Sequence, residues 1–259
     1  PDNLTKGLDI MEDWAFNATL DHEEIDKERG VVLEEYRLGL GAGKRMRQEY
    51  FDKLMYNSRY ADRLPIGKKE VLENFDYQAL KDFYNTWYRP DLMAFIAVGD
   101  VDVKEMEKKI KTRFSKYENP KNPEPRKEYD IPLHEETFVA IATDHEATSQ
   151  RVSLYYKNPN ERTPIQTVDD LEKSLVNNLF TTMINNRFQE ITNSSNPPFS
   201  YGFSFYSSLP NKKNMSYTSV ASPTDNKQLA ALEVLVRENQ RVKKHGFTKS
   251  ELERARKEI

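Results

Sequence analysis

The 259-residue chain contains no cysteine. That excludes disulfides, thiol nucleophiles and cysteine-rich metal sites, and it fits an extracytoplasmic address. Histidine is scarce: the only four are His22, His134, His145 and His245, and no two of them lie three to five residues apart. No apolar run approaches the roughly 18 residues of a membrane span. The formal net charge of -3 carries no basic signature, so nucleic acid is not an expected partner. Neither an initiator methionine nor a signal peptide opens the chain at Pro1, and an unfinished helix closes it at Ile259, the pattern expected of a fragment. What is present is 37% hydrophobic and 31% charged residues, enough for one large or two ordinary domains with modest cores.

The most distinctive stretch is Asp21–Arg37 (Asp-His-Glu-Glu-Ile-Asp-Lys-Glu-Arg-Gly-Val-Val-Leu-Glu-Glu-Tyr-Arg). Asp21 can cap a helix, and Glu23 and Glu24 fall in its first turn, where the helix dipole favours anions. Glu28 and Glu35 are about two turns apart and share one line, with Glu24 close to it. Ile25, Val31 and Val32 border that stripe. Acids beside β-branched apolar residues read as carboxylates at the edge of a core, which need a cation, a donor or a metal. The competing reading is a solvated amphipathic face in which Glu24 pairs with Lys27 or Arg29.

Along the rest of the chain, Asp2–Leu20 has helical spacing, with Trp14 as a packing residue. Gly39-Leu40-Gly41-Ala42-Gly43-Lys44 misses the phosphate-loop pattern, because its glycines are too close and Arg45 stands where Ser or Thr is needed; it reads as a flexible hinge. Met46–Met55, Asp76–Trp87 and Val103–Phe114 read as helices, and Leu92–Gly99 as a buried strand. Glu118–Pro132 carries four prolines and reads as a semi-rigid linker. It separates a first domain, 1–118, from a second, 133–259, with 119–132 between them. In the second domain, Thr137–Thr143 and Arg151–Tyr156 alternate as strands. Thr167–Thr192 reads as a long helix. Phe199–Leu209 and Met215–Ser222 form a strand pair with a turn at Pro210–Asn214. Lys227–His245 is a helix stopped by Gly246, and a last helix begins at Thr248 or Ser250.

The chain repeats itself. Glu24-Ile25-Asp26-Lys27-Glu28-Arg29 aligns with Glu251-Leu252-Glu253-Arg254-Ala255-Arg256, each after an apolar helix and a short link. Ala255 stands where the first copy has Glu28, so one copy is expected to carry chemistry and the other to be scaffold. The same alignment implies that roughly 90 residues precede Pro1 in the first domain.

With these features in view, Glu28–Glu35 resembles the Glu-x6-Glu helix of the pitrilysin/insulinase zinc metallopeptidases, the inverzincins, in their bacterial form. Tyr60–Gly67, Phe83–Asp91, Ala97-Val98-Gly99-Asp100, Asn186–Ile191 and Gly246–Leu252 resemble further family patterns in order and spacing. The resemblance implies an α+β fold of two tandem α/β-roll domains, antiparallel sheets covered by helices, the first truncated at its N-terminus. It implies a zinc endopeptidase that cleaves peptides or unfolded polypeptide in a chamber closed by a further half or subunit. In that family two His and the general base come from His-x-x-Glu-His, and the later Glu of the helix is the third ligand. Here that is Glu35, while Glu28 matches an acid that supports the site from behind. This chain has no His-x-x-Glu-His. The motif, with the base, is expected upstream of Pro1, and the chain alone is expected neither to hold zinc tightly nor to cleave peptides. A periplasmic or cell-envelope address is favoured. The alternative is a non-catalytic partner subunit or peptide-binding module of the same fold. His145 reads as a surface turn, His22 as a helix-start residue, and Arg63 and Arg89 as core ion-pair residues.

Overall fold

The computed structural model describes residues 3–161, 164–211 and 213–259. Asp2, the expected start of the first helix, and Lys212, within the expected turn, lie outside these residues. The chain forms two compact units: residues 1–39 with 64–127, and residues 40–63 with 128–259.

The first unit is helical among its described residues. Its helices are α1 (Leu4–Phe16), α2 (His22–Leu38), α4 (Lys69–Asn74), α5 (Tyr77–Trp87) and α6 (Val103–Phe114). Asp76 caps α5 by accepting from the Gln78 N–H at 3.0 Å, and Asp102 caps α6 by accepting from that of Glu105 at 2.8 Å. Helices α1 and α6 meet through charge and aromatic stacking. Tyr117 donates to Glu12 at 2.7 Å, Lys116 pairs with Glu12 at 2.5 Å, and Arg113 pairs with Asp9. The Phe16 and Tyr117 rings stack with centroids 3.9 Å apart.

Two sequence expectations fail in this unit. Leu92–Gly99 is not a strand: Ile96 and Val98 are 80% and 93% exposed. A strand takes its hydrogen bonds from a neighbour, and no described strand pairs with this segment. Trp14 is 70% exposed on α1 rather than packed.

The second unit contains α3 (Ala42–Leu54), β1 (Val152–Glu161), α7 (Val168–Thr192), β2 (Phe199–Ser208), β3 (Asn214–Pro223), α8 (Gln228–His245) and α9 (Lys249–Glu258). The strands form an antiparallel sheet in the order β1-β3-β2. Alternation along the strands sends Ala221 and Phe199 to the helical side, where they pack with Ile184 and Phe188 of α7 and Ala231, Val234 and Leu235 of α8. Gly202 is needed in β2: a Cβ there would stand 2.9 Å from the Phe199 ring. Polar side chains on the same side are paired. The Ser204 and Ser219 hydroxyls lie 2.7 Å apart, and Asn185 closes both backbone groups of Ser204 at 3.0 and 2.7 Å.

Thr137–Thr143, expected to be a strand, forms none and has no described pairing partner, and Ile141 is exposed. Residues 40–63, contiguous with the first domain in sequence, pack with the second unit. Arg45 reaches Asp144, and Ser58 donates to the Asp130 carbonyl.

Candidate active-site helix

Helix α2 has two seams. The inner one is Ile25, Arg29, Val32 and Tyr36, at the four- and three-residue steps of one helical face. Ile25 is buried. The Arg29 guanidinium donates to the carbonyls of Leu72 at 2.5 Å and Phe75 at 3.1 Å, and lies 3.9 Å from the Phe75 ring centroid. Those carbonyls sit in α4 and just beyond it, so one cation satisfies helix-end acceptors and fixes the rotation of α2. At the start of α2, the His22 ring stacks on Tyr77 at 4.1 Å, and the Tyr77 hydroxyl donates to Asp26 at 2.7 Å. Asp21 occupies the cap position but makes no side-chain cap bond.

The outer seam is Glu24, Glu28, Val31, Glu35 and Leu38. Every one of these residues is exposed, Val31 at 60% and Leu38 at 72%. The sequence expectation that these acids lie at the edge of a core is therefore corrected: the inner seam turns towards α4 and α5, and the acids face outward. Glu24 pairs with Lys27 at 2.8 Å. Glu28 and Glu35 have no ion pair among the described residues. Lys27, Gly30, Val31, Glu34, Glu35 and Leu38 line a shallow, open depression. The Glu24–Lys27 pair and the exposed Glu28 and Glu35 are what the solvated-face reading expects; Val31 and Leu38 add an apolar component to the same seam.

As a metal centre the seam is incomplete. Zinc takes three protein ligands and a water in hydrolytic sites. Among the described residues no three His, Cys, Asp or Glu side chains are grouped to hold a metal ion. Glu35 thus offers one carboxylate, and the described residues do not by themselves fit a zinc site.

The other singled-out residues have structural partners or face water. His145 is exposed in the turn between extended segments. Arg89 is buried, 3.0 Å from Asp91, and donates to the Glu124 carbonyl at 2.9 Å. Arg63 is exposed. The Pro197 and Pro198 carbonyls of the Asn196–Phe199 turn accept from Thr224, through its hydroxyl and its N–H respectively. The motifs at 186–191 and 246–252 meet at one residue. Arg187 of α7 donates to Glu251 at 2.5 and 3.1 Å and to the Gly246 carbonyl at 3.2 Å, and lies over the Phe247 ring. Sequence reasoning missed the roles of Arg29, Arg45 and Arg187, whose partners lie tens of residues away.

The chain is 33% identical over 200 residues to an Arabidopsis thaliana protein named zinc protease PQQL-like, covering 77% of this chain and 21% of that protein. It is 31% identical over 256 residues to the probable zinc protease PqqL of Escherichia coli (strain K12), covering 97% of this chain and 27% of that protein. The crystal structure of the periplasmic protease PqqL from Escherichia coli superposes with a TM-score of 0.81 at 27% identity, covering 98% of this chain and 28% of that one. The chain therefore spans about a quarter of the length of these relatives. The family model described as the Peptidase M16 inactive domain matches residues 74–259, which begins after α2. The chain belongs to the peptidase M16 (pitrilysin/insulinase) family, as a bacterial member.

Proposed function

We propose that the chain is part of a zinc-dependent endopeptidase, with Glu35 as the third zinc ligand and Glu28 as the acid that supports it. The His ligands and the general base come from residues upstream of Pro1. The observation that carries this reading is the outer seam of α2, where Glu28 and Glu35 alternate with exposed Val31 and Leu38. Such a seam suits a second helix packed on it, with the acids turned towards that helix's metal-binding side chains. Two further observations support it. The relatives are named zinc proteases. The inactive-domain match leaves α2 outside, and the repeated helix inside that match has Ala255 in place of Glu28.

In this reading the N-terminal part is the remainder of a zinc-site α/β-roll, 1–118. Residues 119–132 are the linker, and 133–259 form a second, scaffold-like roll. Peptide or unfolded polypeptide is the substrate, a further half or subunit completes the chamber, and the periplasm or cell envelope is the compartment. In the full-length protein, Glu35→Gln abolishes peptide hydrolysis and zinc retention, whereas Glu28→Gln weakens both roughly 10- to 100-fold. A Glu35→Gln protein with full activity and full zinc content refutes the assignment.

A further inference from the structure

Residues 40–63 lie in the second compact unit, while the chain on either side, to Gly39 and from Leu64, lies in the first. The two halves of this segment are held by different physics. Residues 51–58 are anchored by burial. Phe51, Met55 and Ser58 are buried, the Ser58 hydroxyl donates to the Asp130 carbonyl at 2.9 Å, and Tyr56 meets the Phe138 ring edge-on at 5.0 Å. Residues 39–50 contain no buried residue. Glycines stand at 39, 41 and 43, and Gly41 caps α3 without a side chain.

Arg45 carries several bonds in that outer half. It donates to both oxygens of Asp144, at 2.6 and 2.7 Å, to Glu146 at 2.5 Å, and to the Leu40 carbonyl at 2.6 Å. The receiving turn is already shaped, because the Glu146 N–H donates to Asp144 at 3.0 Å. Arg45 holds the Asp144 carboxyl well below the usual carboxylate range. Salt, rather than mild acid, is therefore the lever on this cluster.

We infer that residues 39–50 are a charge-latched strap: Arg45 on Asp144 and Glu146 keeps it closed, the glycines let it swing, and Phe51–Ser58 is its fixed end. Segments with little buried apolar surface open first and most cheaply, and charge-assisted hydrogen bonds hold this one. Its joint is shared with the candidate site. Gly39 is the C-cap residue of α2, and its N–H donates to the Glu35 carbonyl at 3.0 Å. The inference concerns the strap alone and stands whether or not Glu35 binds zinc.

Amide hydrogen exchange on the full-length protein tests it. In the wild type, raising NaCl from about 0.05 to about 1 M speeds exchange of the 42–50 amides roughly tenfold. Asp144→Asn speeds them roughly 10- to 100-fold at low salt and removes most of the salt effect. Amides of 55–58, whose acceptors lie within the fixed end, and of the β1-β3-β2 sheet keep their wild-type rates. Equal rates at 42–50 in variant and wild type overturn the proposal, as does exchange of 42–50 and the sheet at one common rate. If Asp144→Asn misfolds, the wild-type salt series alone decides: no salt effect at 42–50 overturns the latch.

Discussion

Arg187 shows what single residues do in this chain. Its guanidinium is buried between α7 and α9, pairs with Glu251 and sits 3.9 Å from buried Glu238. Hydrogen bonding from Arg187, and then from the Thr248 N–H and hydroxyl, draws the Glu251 carboxyl down to about 2. Breaking one side of a buried pair leaves an uncompensated charge, at a cost of roughly 3–5 kcal/mol. Arg187→Met is therefore expected to lower stability by about 3 kcal/mol, read from the urea midpoint of the second unit's transition. The pH dependence follows from the depressed carboxyl. The Glu251 contribution is full above its unfolded value of 4.5 and is lost as pH falls from there towards about 2. Glu251→Gln should flatten the acid limb of the stability profile, and an unchanged limb would remove the pair from the account. Arg187 also marks a limit of sequence reading. Its motif is visible, but Glu251 lies 64 residues away, and nothing local reveals the pairing.

At the scale of elements, what the sequence made legible is what local chemistry decides. The Thr167–Thr192 helix appears as α7, with Thr167 and Asp170 closing a capping box, and the helix expected from Thr248 or Ser250 appears as α9 with Thr248 and Glu251 doing the same. Gly246 ends α8 with φ 67°, a conformation in which a Cβ is strained. The strands at 92–99 and 137–143 were misread, because alternation and apolar content describe a strand's faces and not its partner. For α2, the seven-residue spacing of Glu28 and Glu35 was legible; which seam faces inward was not, since Arg29 decides that by reaching carbonyls more than 40 residues on. The two repeated helices give a direct test. Thr248→Ala should cost about 1 kcal/mol. Asp21→Ala, at the equivalent position but with no cap bond, should stay within about 0.5 kcal/mol. Urea denaturation of the two variants compares them, and equal losses would contradict the capping difference.

At the scale of the whole molecule, the two helices of similar sequence differ in what their side chains do. One copy presents two aligned carboxylates on an outward, partly apolar seam; the other replaces Glu28 with Ala255, which is fully buried, and uses Glu251 to bind Arg187. No described helix is long and apolar enough to cross a membrane. The chain spans about a quarter of its relatives. The claim that most needs testing is that Glu35 is one ligand of a zinc site that this chain cannot complete. Zinc titration in competition with a chromophoric chelator, run on the isolated 259-residue chain and on the full-length protein, tests it directly. The expected result is one tightly held zinc per full-length molecule and none on the isolated chain; tight, stoichiometric binding by the isolated chain contradicts the assignment of Glu35.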